Sequence, residues 1–198
     1  MPGRARSAPP SPSAASPSSR SSTSRRGRIY NNIEDTNTLV AIDTAKHAVV
    51  STWPIAPGEE ASGLALDPAH HRLFIGCSND RMLMMDATNG KVLASVPIGS
   101  GVDANAFDPE TGLAFASSSD GTLTVARPDG PDKLTVVQTL KTPPRSRTMT
   151  LDPKTHRLYV AAAEFLPPVA GPDGKMQRPQ IVPGSFKVVV YARGEAKP

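Results

Sequence analysis

Apolar residues in this chain fall in short runs divided by turn residues, and nowhere do they recur with a useful 3.6-residue period. Over 63–66 apolar and small residues alternate, and an Asp-Pro pair follows at Asp67-Pro68. Proline presets the backbone for the second position of a type I turn, and the aspartate accepts nearby backbone N–H groups. Further strands are predicted over 73–77, 82–86 and 91–98, with Asn89-Gly90 marking a tight hairpin between the last two. The same reading gives strands at 104–107, 112–117, 122–126 and 134–139. The pattern predicts an all-β chain.

The runs form a repeat. Apolar-Asp-Pro, a few turn residues and an apolar-aromatic pair occur as LALDPAHHRLFIG (64–76), NAFDPETGLAFAS (105–117) and MTLDPKTHRLYVA (149–161). Asp67, Asp108 and Asp152 are 41 and 44 residues apart, Phe74, Phe115 and Tyr159 keep the same spacing, and Tyr30 lies 44 before Phe74. A period of this length is typical of four-stranded propeller blades. The fold predicted is a partial β-propeller of about four four-stranded meander blades, at about 28–58, 59–99, 100–141 and 142–193. The first and last blades are incomplete: the inner strand of the first would fall on Ser-rich residues 18–26, and the last stops after its third strand. Since a propeller removes its sheet edges by closing a ring, open edges invite self-association. A truncated gene product lacking earlier blades is the preferred explanation, ahead of a small propeller or one closed by oligomerisation.

Composition changes the picture at one end. Residues 1–26 contain no Leu, Ile, Val or aromatic side chain. A tail over 1–27 is therefore expected to be disordered, because nothing offsets the entropy of ordering it. It lacks the apolar segment of a secretory signal, and Arg25-Arg26 matches a twin-arginine signal only as a dipeptide. The first 28 residues hold six arginines and no acid, and subtracting those six from the net +4 leaves −2 for the rest. The folded part thus carries no basic signature of nucleic-acid binding, and no run is long enough to span a membrane as a helix. With Cys77 alone, a disulfide within the chain and a Cys-rich zinc site are excluded, and with Trp53 alone the repeating Trp-Asp mark of WD40 blades is absent.

The segments NTLVAIDTAKHAVVSTWPI (37–55), RMLMMDATNGKVLASVPIG (81–99) and GVDANAFDPETGLAF (101–115) resemble the YVTN-repeat, YncE-like propellers of bacteria. RSRTMTLDPKTHRLYVAAAEF (145–165), a Pro-rich insertion and IVPGSFKVVVYAR (181–193) resemble the last blade of such proteins, so the likeness spans about 28–193. It implies the C-terminal portion of a seven-bladed ring. The resemblance implies a family commonly periplasmic or secreted, while the sequence itself shows no signal peptide and leaves the compartment open.

Ligands of such propellers usually meet the mouth of the central channel, at the loops leading into the inner strands. Aligning the repeats makes Glu60, Gly101 and Arg145 equivalent, and likewise Ser62, Asp103 and Arg147. Glu60, Ser62, Asp103, Arg145 and Arg147 are therefore the candidate rim residues, suited to a small polar ligand or a loop of a partner protein. Solvated loop charges worth about 0–1 kcal/mol per pair are the plainer reading of the charged ones. His70, His71 and His156 read as exposed turn residues, His47 follows a turn, Cys77 reads as a small buried residue, and Met82, Met84 and Met85 as packing between blades. No metal, cofactor or catalytic set is predicted. The main functional expectation is a binding or scaffold module. The alternatives are a metal-dependent lactonase-type enzyme using Glu60, Asp103 and Asn105, and a fragment without function.

Overall fold

A computed structural model describes residues 27–171 and 174–194, so most of the tail expected over 1–27 lies outside the described residues. The described chain forms four antiparallel sheets, each an up-and-down meander in chain order. The first comprises β1 (Arg28–Ile33), β2 (Thr38–Asp43) and β3 (Ala48–Pro54). The second comprises β4 (Ala61–Asp67), β5 (Arg72–Cys77), β6 (Arg81–Asp86) and β7 (Val92–Pro97). The third comprises β8 (Val102–Asp108), β9 (Leu113–Ser118), β10 (Thr122–Pro128) and β11 (Leu134–Lys141). The fourth comprises β12 (Met149–Asp152), β13 (Arg157–Ala162) and β14 (Lys187–Tyr191). These are the blades of a partial β-propeller, the middle two with four strands and the outer two with three. Apart from a single 3-10 turn at Glu34–Thr36, the regular structure among the described residues is all β.

The turns explain why the strands begin and end where they do. Asp67 Oδ1 accepts the N–H groups of Ala69 and His70, and Asp108 Oδ1 that of Glu110. Asp152 Oδ1 accepts the N–H of Lys154, and Asp43, which lacks a following proline, accepts those of Ala45 and Lys46. Each carboxylate thus stands in for a strand partner and turns the chain. The turn then closes on a left-handed residue. His47, His71, Gly112 and His156, each the fourth residue after its aspartate, have φ of +50°, +54°, +67° and +55°. Asn37, Asp80 and Gly121 play the same part in the next turn, at +51°, +59° and +90°. Asn89-Gly90 departs from expectation. The β6–β7 loop spans 87–91, too long for a two-residue hairpin turn, because Gly90 N–H donates back to Asp86 O in a wider turn. A Cβ at Gly90 would stand 2.0 Å from Trp53 Cγ, so the glycine is required by packing as well as by its φ of +76°.

Adjacent sheets stack through apolar faces. Tyr30, Leu39 and Ala41 of the first meet Leu73, Ile75, Leu83 and Met85 of the second. Phe74, Met82 and Met84, on the opposite face of the second, meet Val102, Ala114, Ala116 and Ala126 of the third, and Phe74 stacks on Phe107 at 5.0 Å. Phe115, Leu123 and Val125 pack on Leu158 and Tyr191 of the fourth. The methionines therefore pack between sheets, as read from the sequence. Between β13 and β14 the Pro-rich insertion forms a narrow two-stranded arm, bridged at Phe165–Ile181 and Ala170–Met176.

Open space surrounds the position a Cβ would take at Gly112, with no heavy atom within 4 Å, so Gly112→Ala tests backbone conformation alone. It is expected to lower stability by about 1–2 kcal/mol, the cost of a left-handed L-residue, whereas His71→Gly is expected to raise it by up to ~1 kcal/mol. Urea unfolding midpoints check both, and a neutral Gly112→Ala would contradict this account of the turn.

Candidate functional site on the channel rim

The inner strands carry a β-bulge at the same repeat position. In the second sheet Ala61 pairs with Cys77 and Gly63 with Gly76, leaving Ser62 as the extra residue. In the third, Val102 pairs with Ser118 and Ala104 with Ser117, leaving Asp103. A bulge takes one residue out of the alternating pleat and re-aims its side chain. The preceding residues Glu60, Gly101 and Arg145 share a left-handed backbone, with φ of +45°, +69° and +64°. The repeat alignment drawn from sequence is thus mirrored in local geometry.

The five candidate rim residues have different fates. Asp103 and Arg147 come together: Arg147 Nε lies 3.9 Å from Asp103 Oδ1, and Thr148 Oγ donates to Asp103 Oδ2 at 3.3 Å. The Arg147 side chain is exposed and that of Asp103 about a third so. Arg145 instead lays its guanidinium over the Phe165 ring, 5.3 Å from the centroid, where the arm leaves the fourth sheet. Glu60 accepts the Ser78 hydroxyl at 3.0 Å, and its N–H donates to Asn37 Oδ1. Ser62 turns inward and donates to Val102 O at 2.8 Å, tying the second sheet to the third. Asn105 is not at the rim. Its amide is buried over Gly63 and Gly76, whose missing side chains make room for it, and neither polar atom has a hydrogen-bond partner. The trio Glu60, Asp103 and Asn105 therefore does not converge. Among the described residues no three His, Cys, Asp or Glu side chains are grouped to hold a metal ion.

At the opposite end of the blades the structure adds a cluster that the sequence reading missed. His156, expected as an exposed turn residue, has a side chain only 26% exposed and bridges two sheets. Its Nδ1 lies 2.8 Å from Asp108 Oδ2 in the Asp-Pro turn of the third sheet, and its Nε2 lies 3.3 Å from Glu110 Oε2. His70, by contrast, meets Asp67 of its own turn at 2.7 Å. The His156 contact borders a cleft of about 400 Å³ between the third and fourth sheets, floored by Phe115, Val125, Leu140 and Leu158. Asp108 is 1% exposed, and burial opposes its ionisation. Hydrogen bonds from the Thr111 hydroxyl, His156 and the Glu110 amide outweigh that cost and hold the carboxyl below the usual aspartate range. An ionised carboxylate only accepts, so Nδ1 of His156 donates. No local signal betrayed this pair, because its partners are 48 residues apart and belong to different blades. Cys77 is buried as expected, and burial pushes its thiol up to about 12.

Because the folded carboxyl of Asp108 ionises more readily than an unfolded one, its stabilisation is present above the ordinary aspartate pKa of about 3.9 and is lost as pH falls below it. Urea midpoints measured from neutral pH down to this range are expected to fall. Asp108→Asn is expected to lose about 1.5–3 kcal/mol at neutral pH, as for hydrogen bonds to a charged group, and to flatten that fall. An unchanged pH profile in Asp108→Asn would refute the assignment.

No protein-family model and no curated protein matches the chain. Among solved structures it is similar to Kuenenia stuttgartiensis hydrazine synthase, with a TM-score of 0.65 at 12% sequence identity. The match covers 91% of this chain and 53% of that one, so this chain spans about half the length of its structural neighbour. At that identity the likeness is one of fold.

Proposed function

We propose that this chain is a non-enzymatic binding module of the YVTN-repeat, YncE-like kind, and that its loop-built rim takes a small polar ligand or a loop of a partner protein. The hydrazine synthase likeness contributes the fold alone, and the family reading rests on the repeat segments over 28–193. The observation that carries the binding role is the Asp103–Arg147 pair. A bulge lifts Asp103 from its ladder, and Arg147 occupies the equivalent position one repeat later.

At 3.9 Å, with both groups partly solvated, the pair stabilises the fold by about 0–1 kcal/mol at most. Exchanging that contact for a ligand therefore costs little. The guanidinium fork matches a carboxylate, which it can engage through two parallel hydrogen bonds. Asp103 Oδ1 is placed to accept from an ammonium or hydroxyl group on the same ligand. A compact zwitterion, or the equivalent groups on a protein loop, satisfies both. The expected partner is thus polar and carries a carboxylate.

Isothermal titration with a panel of free amino acids and short dicarboxylates tests this reading. At least one compound is expected to bind saturably, with affinity reduced about tenfold or more in Arg147→Ala and in Asp103→Ala, on the scale of one lost charge-assisted hydrogen bond. Glu110→Gln, at the opposite end of the blades, is expected to leave binding unchanged. A panel without a binder, or binding indifferent to both rim substitutions, would reject the proposal.

A further inference from the structure

The Asp-Pro turns of the second and third sheets each face the following blade, and the two are filled differently. In the third sheet Asp108 Oδ2 accepts two donors at 2.8 Å, the Thr111 hydroxyl of its own turn and His156 Nδ1 of the next blade. In the second sheet His70 stands in the position of Thr111 and meets Asp67 Oδ2 at 2.7 Å. The residue equivalent to His156 is Gly112, which has no side chain to offer. Among the described residues Asp67 Oδ2 therefore receives one donor where Asp108 Oδ2 receives two, although the Asp67 side chain is only 3% exposed. A carboxylate oxygen carries two lone pairs, and acceptor capacity that is buried and unused costs free energy.

Space accompanies the missing donor. A cleft of about 220 Å³ opens between the second and third sheets, lined by Asp67, Arg72 and Gly112 and by the rings of Phe107, Pro109 and Pro128. Both flanking sheets have all four strands, so the cleft belongs to a complete blade interface. Two further replacements define what fits there. Glu110, which meets the second nitrogen of His156 at 3.3 Å, is replaced by Ala69, and Leu113 is replaced by Arg72. The imidazole of His156 meets two acidic groups, whereas a ring in the cleft meets one carboxylate and one guanidinium.

We infer that this cleft binds a small neutral heterocycle with one N–H donor and one unprotonated ring nitrogen, the chemistry of imidazole. The ring takes the place that His156 occupies one interface later. Its N–H donates to Asp67 Oδ2, its second nitrogen accepts from Arg72, and Phe107, Pro109 and Pro128 supply apolar walls. The cleft lies at the end of the blades opposite Asp103 and Arg147, so the inference is independent of the rim reading.

NMR titration of the full chain with imidazole at about pH 8.5, where a ring with the ordinary pKa of about 6.5 is neutral, tests it. Saturable shifts of the Gly112 amide and the His70 ring are expected, with a Kd of about 1 mM, within reach of so small a ligand. N-methylimidazole, which keeps the acceptor and loses the donor, is expected to bind about tenfold more weakly, and Arg72→Leu to weaken imidazole by about as much. Gly112→His supplies a tethered ring on a backbone conformation that His71 and His156 already adopt. It is expected to abolish imidazole binding and to be more stable than Gly112→Ala. Asp103→Ala is expected to leave imidazole binding unchanged. Shifts that do not saturate, or equal binding of the N-methyl compound, overturn the inference. Binding that persists unchanged in Arg72→Leu or Gly112→His, or that is lost in Asp103→Ala, does so too, as does a Gly112→His no more stable than Gly112→Ala.

Discussion

In the strands of the middle sheets, neighbouring side chains are buried in different cores. Leu73 and Ile75 point into the cluster shared with the first sheet, while Phe74 between them points into the cluster shared with the third. Leu83 and Met85 divide from Met82 and Met84 in the same way. Each such side chain contributes roughly 1.5–3 kcal/mol by leaving water, and a sheet standing alone would forfeit one whole set. Stacking is therefore the condition under which any single blade is stable, as in other repeat architectures. The charged turn and loop side chains lie at the two ends of the blades, while a few uncharged polar groups, the amides of Asn32 and Asn105 among them, are buried between sheets.

That division explains what the sequence disclosed. Strands and their turns are local, so the Asp-Pro pairs and the aromatics at Phe74, Phe115 and Tyr159 displayed the blades in phase. The equivalence of Glu60, Gly101 and Arg145 was legible for the same reason, and all three share one backbone conformation. What passes between blades was hidden. Ser62 has the composition of a rim residue, yet its hydroxyl bonds Val102 O across the interface. His156 looked like any turn histidine until the next blade supplied Asp108. Bulges are properties of pairing and leave no mark in one strand alone. The span of the β6–β7 loop was equally invisible, since Gly90 answers to Trp53 from another blade.

The interface between the second and third sheets shows how finely such contacts are matched. Gly63 and Gly76 clear a hollow on one sheet, and Asn105 of the other fills it, its Oδ1 2.0 Å and 2.4 Å from where their side chains would begin. An amide in that hollow fixes the relative height of the two blades, since displacement along the strands would drive it against Ala65 or Phe74, the next residues on the same face. The first and second sheets use a related device, with Asn32 donating to Gly63 O at 3.2 Å. Polar side chains thus add to the apolar clusters in holding neighbouring blades in step.

Cys77 gives these contacts a clock. It is the chain's one sulfhydryl, and it lies in the seam between the first two sheets. Only its deprotonated form attacks electrophiles, and both its burial and its raised pKa suppress that form while the seam is shut. The rate at which an alkylating reagent marks the intact protein therefore measures how often the packing over this thiol, by the seam and by the loop at Ile55 and Gly58, opens.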